Sequence, residues 1–119
     1  MIRLEQNLQQ NIVNYFNYQY PKLRGCLCSN LANSKNARIG GINKSLGVVA
    51  GRSDLSLYLN KTAYFIEVKA PKGRQSEKQK EWQKIMEFHG YEYYIVYCLD
   101  DFIELIKKIN YKQKAKELK

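Results

Sequence analysis

Apolar positions recur along the chain with periods that change from segment to segment. Between residues 3 and 18, Leu4, Leu8, Ile12, Tyr15 and Phe16 follow one another at helical spacing and predict an amphipathic helix. "RGCLCSN" reads as a short strand, and the polar, glycine-rich loop of residues 33–53 follows it. In "DLSLYL", Leu55, Leu57 and Leu59 alternate with polar positions, the period of a strand. Asn60-Lys61 makes a two-residue turn, because asparagine tolerates positive φ. "TAYFIEVK" returns as the second strand of a hairpin and stops at Ala70-Pro71. Ser76 and Gln79 have the spacing of a capping box, opening a helix to about His89. Trp82, Ile85 and Met86 are its expected core face, and Gly90 suits the position just past its end. "YEYYIVYC" is a further strand. Asp100 or Asp101 then caps a last helix carrying Phe102, Leu105, Ile106 and Ile109. The order α-β-β-β-α-β-α predicts an α/β fold, a mixed central sheet with helices packed on it.

The hairpin also predicts a register. With Asn60-Lys61 at the turn, Leu59 faces Thr62, and stepping outward brings Asp54 opposite Glu67. Two carboxylates facing each other on one side of a sheet destabilise it unless something compensates. Glu67 and Lys69 are two residues apart and share that side. A divalent cation between the carboxylates makes sense of the arrangement, and oxygen-only ligation favours magnesium or manganese over zinc. The plainer alternative is a salt bridge at the sheet edge, with Lys69 neutralising one acid. A register slip of one residue would also turn Asp54 to the other side.

Composition narrows the class. The 119 residues fit a single domain, 1–119, whose end at about 107–119 is a basic helix end or tail. With 45% hydrophobic and 13% aromatic residues, disorder is excluded as the main feature. No apolar run approaches the roughly 18 residues of a membrane span, and "MIRLEQNLQQ" has no signal-peptide core. A soluble, cytoplasmic chain is therefore expected. Cys26, Cys28 and Cys98 are odd in number, and His89 is the sole histidine. That leaves neither a disulfide framework nor enough ligands for structural zinc.

The net charge of +9 is unevenly spread. Residues 1–66 hold two acids, Glu5 and Asp54, against eight Lys or Arg, and residues 30–53 hold no acid. Such a surface attracts polyanions, most often nucleic acid. Lys35, Arg38, Lys44, Arg52, Lys72, Arg74 and Lys78 are the candidate phosphate contacts. The C-terminal lysines read more simply as a solvated helix end.

The motifs then align with a known family. "LGVVAGRSDLSLYL" followed by "FIEVKAPKGRQSEKQKEWQ" resembles the VRR-NUC domain, a branch of the PD-(D/E)xK nucleases with a restriction-endonuclease-like core. The resemblance spans nearly the whole chain: Glu5 in the first helix, Gly47-x-x-x-Gly51-x-x-Asp54, Glu67-x-Lys69, Gly73-Arg74, Ser76-x-x-Gln79 and Gly90. Two positions depart from the family pattern. Ser53 stands where proline is frequent, which would loosen the loop aiming Asp54, and Val96-Tyr97-Cys98 replaces the usual Val-Arg, which removes a phosphate contact.

The resemblance implies metal-dependent phosphodiester hydrolysis with magnesium or manganese. Asp54, Glu67 and the backbone carbonyl of Val68 would hold the metal, and Glu5 would ligate a second ion or orient water. Lys69 would steady the attacking water or a non-bridging oxygen, and Gln79 would hold Lys69, water or DNA unless it serves only the capping box. Small stand-alone relatives from phages and bacteria suggest a structure-selective DNA endonuclease, a homodimer acting on four-way (Holliday) junctions in a bacterial cell or phage-infected host. Part of the aromatic segment "NYFNYQY" is the expected dimer surface, with burial in the monomer core an equal alternative for Tyr15 and Phe16. The alternatives are a nicking or flap-type nuclease acting with a partner, and a non-catalytic nucleic-acid-binding module of the same fold.

Overall fold

The computed structural model describes residues 2–30, 41–42 and 44–117. Its elements are α1 (Ile2–Gln19), β1 (Leu27–Ser29), β2 (Leu55–Leu59), β3 (Thr62–Val68), α2 (Glu77–Phe88), β4 (Glu92–Val96) and α3 (Leu99–Glu117), with a 3-10 turn at Pro21–Leu23. The sheet order is β1-β2-β3-β4. β1, β2 and β3 pair antiparallel, and β4 joins β3 in parallel after the α2 crossover, so the sheet is mixed as expected.

The predicted register holds. Leu59 pairs with Thr62 and Leu55 with Ile66, across a turn in which Asn60 and Lys61 have φ of 58° and 61°. Two consecutive left-handed residues give a turn whose twist suits a tight hairpin. Asp54 lies one step beyond the last pair, in line with Glu67. The capping box at Ser76 and Gln79 is also present in full.

Both faces of the sheet are covered, unequally. Leu55, Leu57, Tyr64, Ile66, Val68 and Val96 pack on Ile12 and Phe16 of α1 and on Phe102, Leu105, Ile106 and Ile109 of α3. The other face carries Ala63, Phe65 and Tyr93 beneath Trp82 and Met86 of α2. Several helix assignments change. Leu4 is 60% exposed and Ile85 is 52% exposed, so neither belongs to the core face of its helix. Asp100 and Asp101 lie inside the first turn of α3, where Asp101 accepts from the Tyr97 N–H at 2.9 Å. Tyr15, Phe16 and Tyr20 belong to the core, in ring contact with one another or with Phe102; Tyr18 points outward. The segment expected to form a dimer surface is thus largely consumed by the monomer. Among the described residues, no helix is long and apolar enough to cross a membrane.

Candidate active site

β3 alternates sides residue by residue, so Ala63, Phe65, Glu67 and Lys69 share the α2 side. The first two are apolar and lie under α2, while the last two reach the open end of the sheet. Glu67 is 0% exposed. One of its oxygens, Oε1, accepts from Tyr93 OH and from Gln75 Nε2 at 3.2 Å. Gln75 Nε2 also donates to Gln83 Oε1 at 2.8 Å, tying this contact to α2. Burial, followed by the hydrogen bond to Glu67, raises the Tyr93 pKa, so the phenol stays a protonated donor. The other oxygen, Glu67 Oε2, is buried and receives no hydrogen bond from the described residues. Lys69 Nζ stands 3.6 Å from it, with the lysine side chain 12% exposed.

Asp54 approaches from the end of β2. Its Oδ2 accepts from the Val68 N–H at 2.7 Å. Burial raises the Asp54 pKa above the usual carboxylate value; the Val68 bond opposes this, Glu67 adds to it, Lys69 opposes it and Glu5 adds further. Glu5 Oε2 accepts from the Ala70 N–H at 3.2 Å, fixing α1 to the strand end just past Lys69. Glu5, Asp54 and Glu67 therefore surround one strand end without closing into a cage. Among the described residues, no three His, Cys, Asp or Glu side chains converge as a ready-made ligand set.

A cleft of about 580 Å³ opens at this end, and Asp54, Lys69, Arg52, Lys78 and Gln79 line it. Gln79 Oε1 accepts from the Ser76 N–H at 2.8 Å, so Nε2 is the end of that amide able to donate into the cleft. Arg52 is held by Asn30 Oδ1 at 3.1 Å and lies 5.8 Å from the centre of the Trp82 ring. Lys44, Lys72 and Arg74 are exposed, while Lys35 and Arg38 fall outside the described residues.

A family model for the VRR-NUC domain matches residues 3–99. The chain belongs to the VRR-NUC domain family. Two solved structures share the fold. One, a "VRR_NUC domain protein", has a TM-score of 0.72 at 22% identity, covering 87% of this chain and 85% of its own. Another, a "VRR_NUC domain", has a TM-score of 0.55 at 17% identity, covering 82% and 92% respectively. Comparison with curated proteins finds no match. Membership in the VRR-NUC family makes this a nuclease-type domain with a PD-(D/E)xK-like core and DNA as its substrate class.

The structure gives the family glycines a physical reason. Gly51 has φ +88°, and a Cβ there would lie 2.6 Å from the Lys78 carbonyl oxygen. Only glycine lets the loop before Asp54 cross the start of α2 so closely. The Ser53 departure does not loosen that loop. Ser53 is buried, its Oγ donates to Leu55 O at 3.0 Å, and its carbonyl accepts from Asn30 Nδ2 at 3.2 Å.

Sequence reasoning missed Asn30, Gln75 and Tyr93. Asn30 binds Arg52, Ser53 and Ser56 through its side chain and the Asp54 carbonyl through its backbone N–H. None lies in a motif, since each acts across 8 to 26 residues of chain. A clue exists for Tyr93: it falls on the strand beside Glu67, on the same alternating side as Phe65.

Proposed function

We propose that this VRR-NUC domain is a divalent-metal-dependent DNA endonuclease acting at the cleft lined by Asp54 and Lys69, with Glu67 buried beside it. One observation carries the proposal: Glu67 Oε2 is fully buried and has no hydrogen-bond donor among the described residues. Leaving a buried acceptor unsatisfied costs about 1–3 kcal/mol, and more when it is charged. Lys69 alone, at 3.6 Å, is too far for a good hydrogen bond. The donor set is all oxygen, which fits magnesium or manganese. Asp54, Glu67 and the Val68 carbonyl would hold the ion. When bound, it supplies Lewis-acid stabilisation of the phosphate charge and a lowered pKa for water.

The remaining work falls to the protein. Tyr93 and Gln75 fix one Glu67 oxygen, so the other keeps its aim. The Lys69 ammonium, nearly excluded from solvent, stabilises charge on the attacking oxygen or on a non-bridging phosphate oxygen. Gln79 orients substrate or water through Nε2. Glu5 acts as an orienting group, because its contact with Ala70 sets the strand end that carries Lys69. Arg52 and Lys78 take phosphates within the cleft, and Lys44, Lys72 and Arg74 extend that track outside it.

The finer reading is a nuclease of branched DNA that works as a homodimer, two matched cuts at a four-way junction requiring two sites related by a twofold axis. Ile85 and Phe88 support it: they form an apolar stretch of α2 that the monomer leaves 52% and 85% exposed. The test is cleavage of four-way, flap and linear DNA with magnesium or manganese, with Asp54→Ala and Lys69→Ala alongside and light scattering of the protein. Both variants should lose cleavage while binding DNA in EDTA as before. Unimpaired cleavage by either variant would overturn the site. A monomer that cuts flaps but not junctions would move the assignment to the nicking or flap-type reading.

A further inference from the structure

The cleft has two unlike walls. Arg52, Lys69 and Lys78 give one wall its positive charge, while α1 contributes Gln6, Gln9 and Gln10 to the other. Gln9 and Gln10 sit three and four residues after Gln6, on one stripe of α1 beside the stripe of partly buried Leu8 and buried Ile12 and Phe16. Gln6 and Gln10 are exposed, and Gln9 Nε2 donates to Ser29 Oγ at 3.4 Å.

The composition of α1 sharpens the contrast. From Gln6 to Pro21 there is no charged residue, although 26% of the chain is charged. The polar face of an exposed helix is normally built from charges, which solubilise it and pair along it. Acids on this wall would repel a polyanion, and lysines would draw its phosphates away from Lys69. Amides do neither. They offer a donor and an acceptor together, the pairing that reads the edge of a base.

We propose that Gln6 and Gln10, braced by Gln9 on Ser29, form a base-side subsite for the cleaved DNA strand. The strand lies with its phosphates on the Arg52–Lys78 wall and its base edges toward α1, so cutting depends on the bases flanking the scissile phosphate. This rests on the nuclease reading of the cleft and adds the orientation of the strand within it.

The double variant Gln6→Ala/Gln10→Ala tests it. Both positions are exposed and alanine favours helix, so the fold is retained, as circular dichroism checks. Binding of a fluorescein-labelled DNA duplex in EDTA is measured over a salt series. Amide contacts release no counterions, so affinity should fall about tenfold at every salt concentration with the slope unchanged. Lys78→Ala should instead flatten the slope by up to about 0.9 for each phosphate it no longer neutralises. On substrates randomised beside the cut, with metal added, the base preference of the wild type should flatten in the double variant. Unchanged affinity and preference would overturn the subsite, as would a slope that falls with affinity, since the wall would then be binding phosphate. Failure of the nuclease reading is distinguishable: wild-type protein that does not cut, or Asp54→Ala protein that does, would overturn that reading whatever the glutamines do.

Discussion

The two faces of the sheet do different jobs with the same strand. On the α1/α3 side, Leu55, Leu57, Ile66, Phe16, Phe102, Ile106 and Ile109 are fully buried and apolar without interruption. On the α2 side the apolar patch is small, no side chain of α2 is fully buried, and Glu67 takes its place in line after Ala63 and Phe65. Tyr64, Ile66 and Val68 are therefore core residues, while their neighbours Glu67 and Lys69 carry the proposed chemistry. The sealed face stabilises the strand while the other face buries a carboxylate oxygen that no hydrogen-bond donor among the described residues satisfies. On the proposed reading, that is why a strand inside a small protein carries an acid and an ammonium on one side.

The largest effect should come from opening the sealed face. Phe102→Ala removes a fully buried ring and should cost about 3–5 kcal/mol. Trp82→Ala, which takes a half-buried ring from above Phe65 and from beside Arg52, should cost about 1–3 kcal/mol. Denaturant titration compares them, and equal losses would break the distinction between the faces.

Gly51→Ala tests how the chemical face is joined to α2. Positive φ and a near-collision with Lys78 should cost about 1–3 kcal/mol. Cleavage should fall further than stability, because the displaced loop carries Arg52 and Asp54. A variant that melts normally and cuts normally would show that the close approach does not position the site.

Tyr93→Phe is a finer probe. It leaves Glu67 Oε1 with Gln75 alone, for a loss of roughly 1–2 kcal/mol in stability. Manganese affinity or cleavage should fall about 10–100-fold, the usual effect of removing a group that orients a ligand. Unaltered metal binding would mean that Glu67 is aimed by its backbone.

The smallest expected effect has the opposite sign. Burial, with Glu67 and Glu5 nearby, raises the Asp54 pKa in the folded protein. Ionising Asp54 therefore disfavours the metal-free fold; this cost is absent below the ordinary carboxylate pKa and complete above the raised value. In EDTA at neutral pH, Asp54→Asn should melt a few degrees higher than wild type, keeping the acceptor for Val68 N–H. The gain should vanish in acid. A gain that persists at low pH, or a loss at neutral pH, would contradict the linkage.

Much of the fold is legible in the sequence because it is written in local chemistry. The Asn60-Lys61 turn sets the hairpin register, and the register alone lines up Asp54 with Glu67. The capping box marks the start of α2. What periodicity does not supply is the extent of cover. Leu4 and Ile85 lie on or beside apolar stripes but are left largely exposed. The aromatic cluster at Tyr15, Phe16 and Tyr20 reads as an interface in the sequence because its true partner, Phe102, lies on the last helix. The proposed metal ligands are visible as a motif, whereas Asn30, Gln75 and Tyr93, which contact them or the loop beside them, become visible only once distant segments are brought together.

The most direct test of the division between the two faces is Glu67→Gln, read for melting temperature and DNA cleavage on the same protein. Glutamine keeps an oxygen for Tyr93 and Gln75 and removes the buried charge. The expected result is a folded protein, melting at or near the wild-type temperature, that binds DNA in EDTA and does not cut it with magnesium or manganese. Cleavage at the wild-type rate would show that the buried carboxylate is not part of the active site, and the division of labour between the two faces would fail with it.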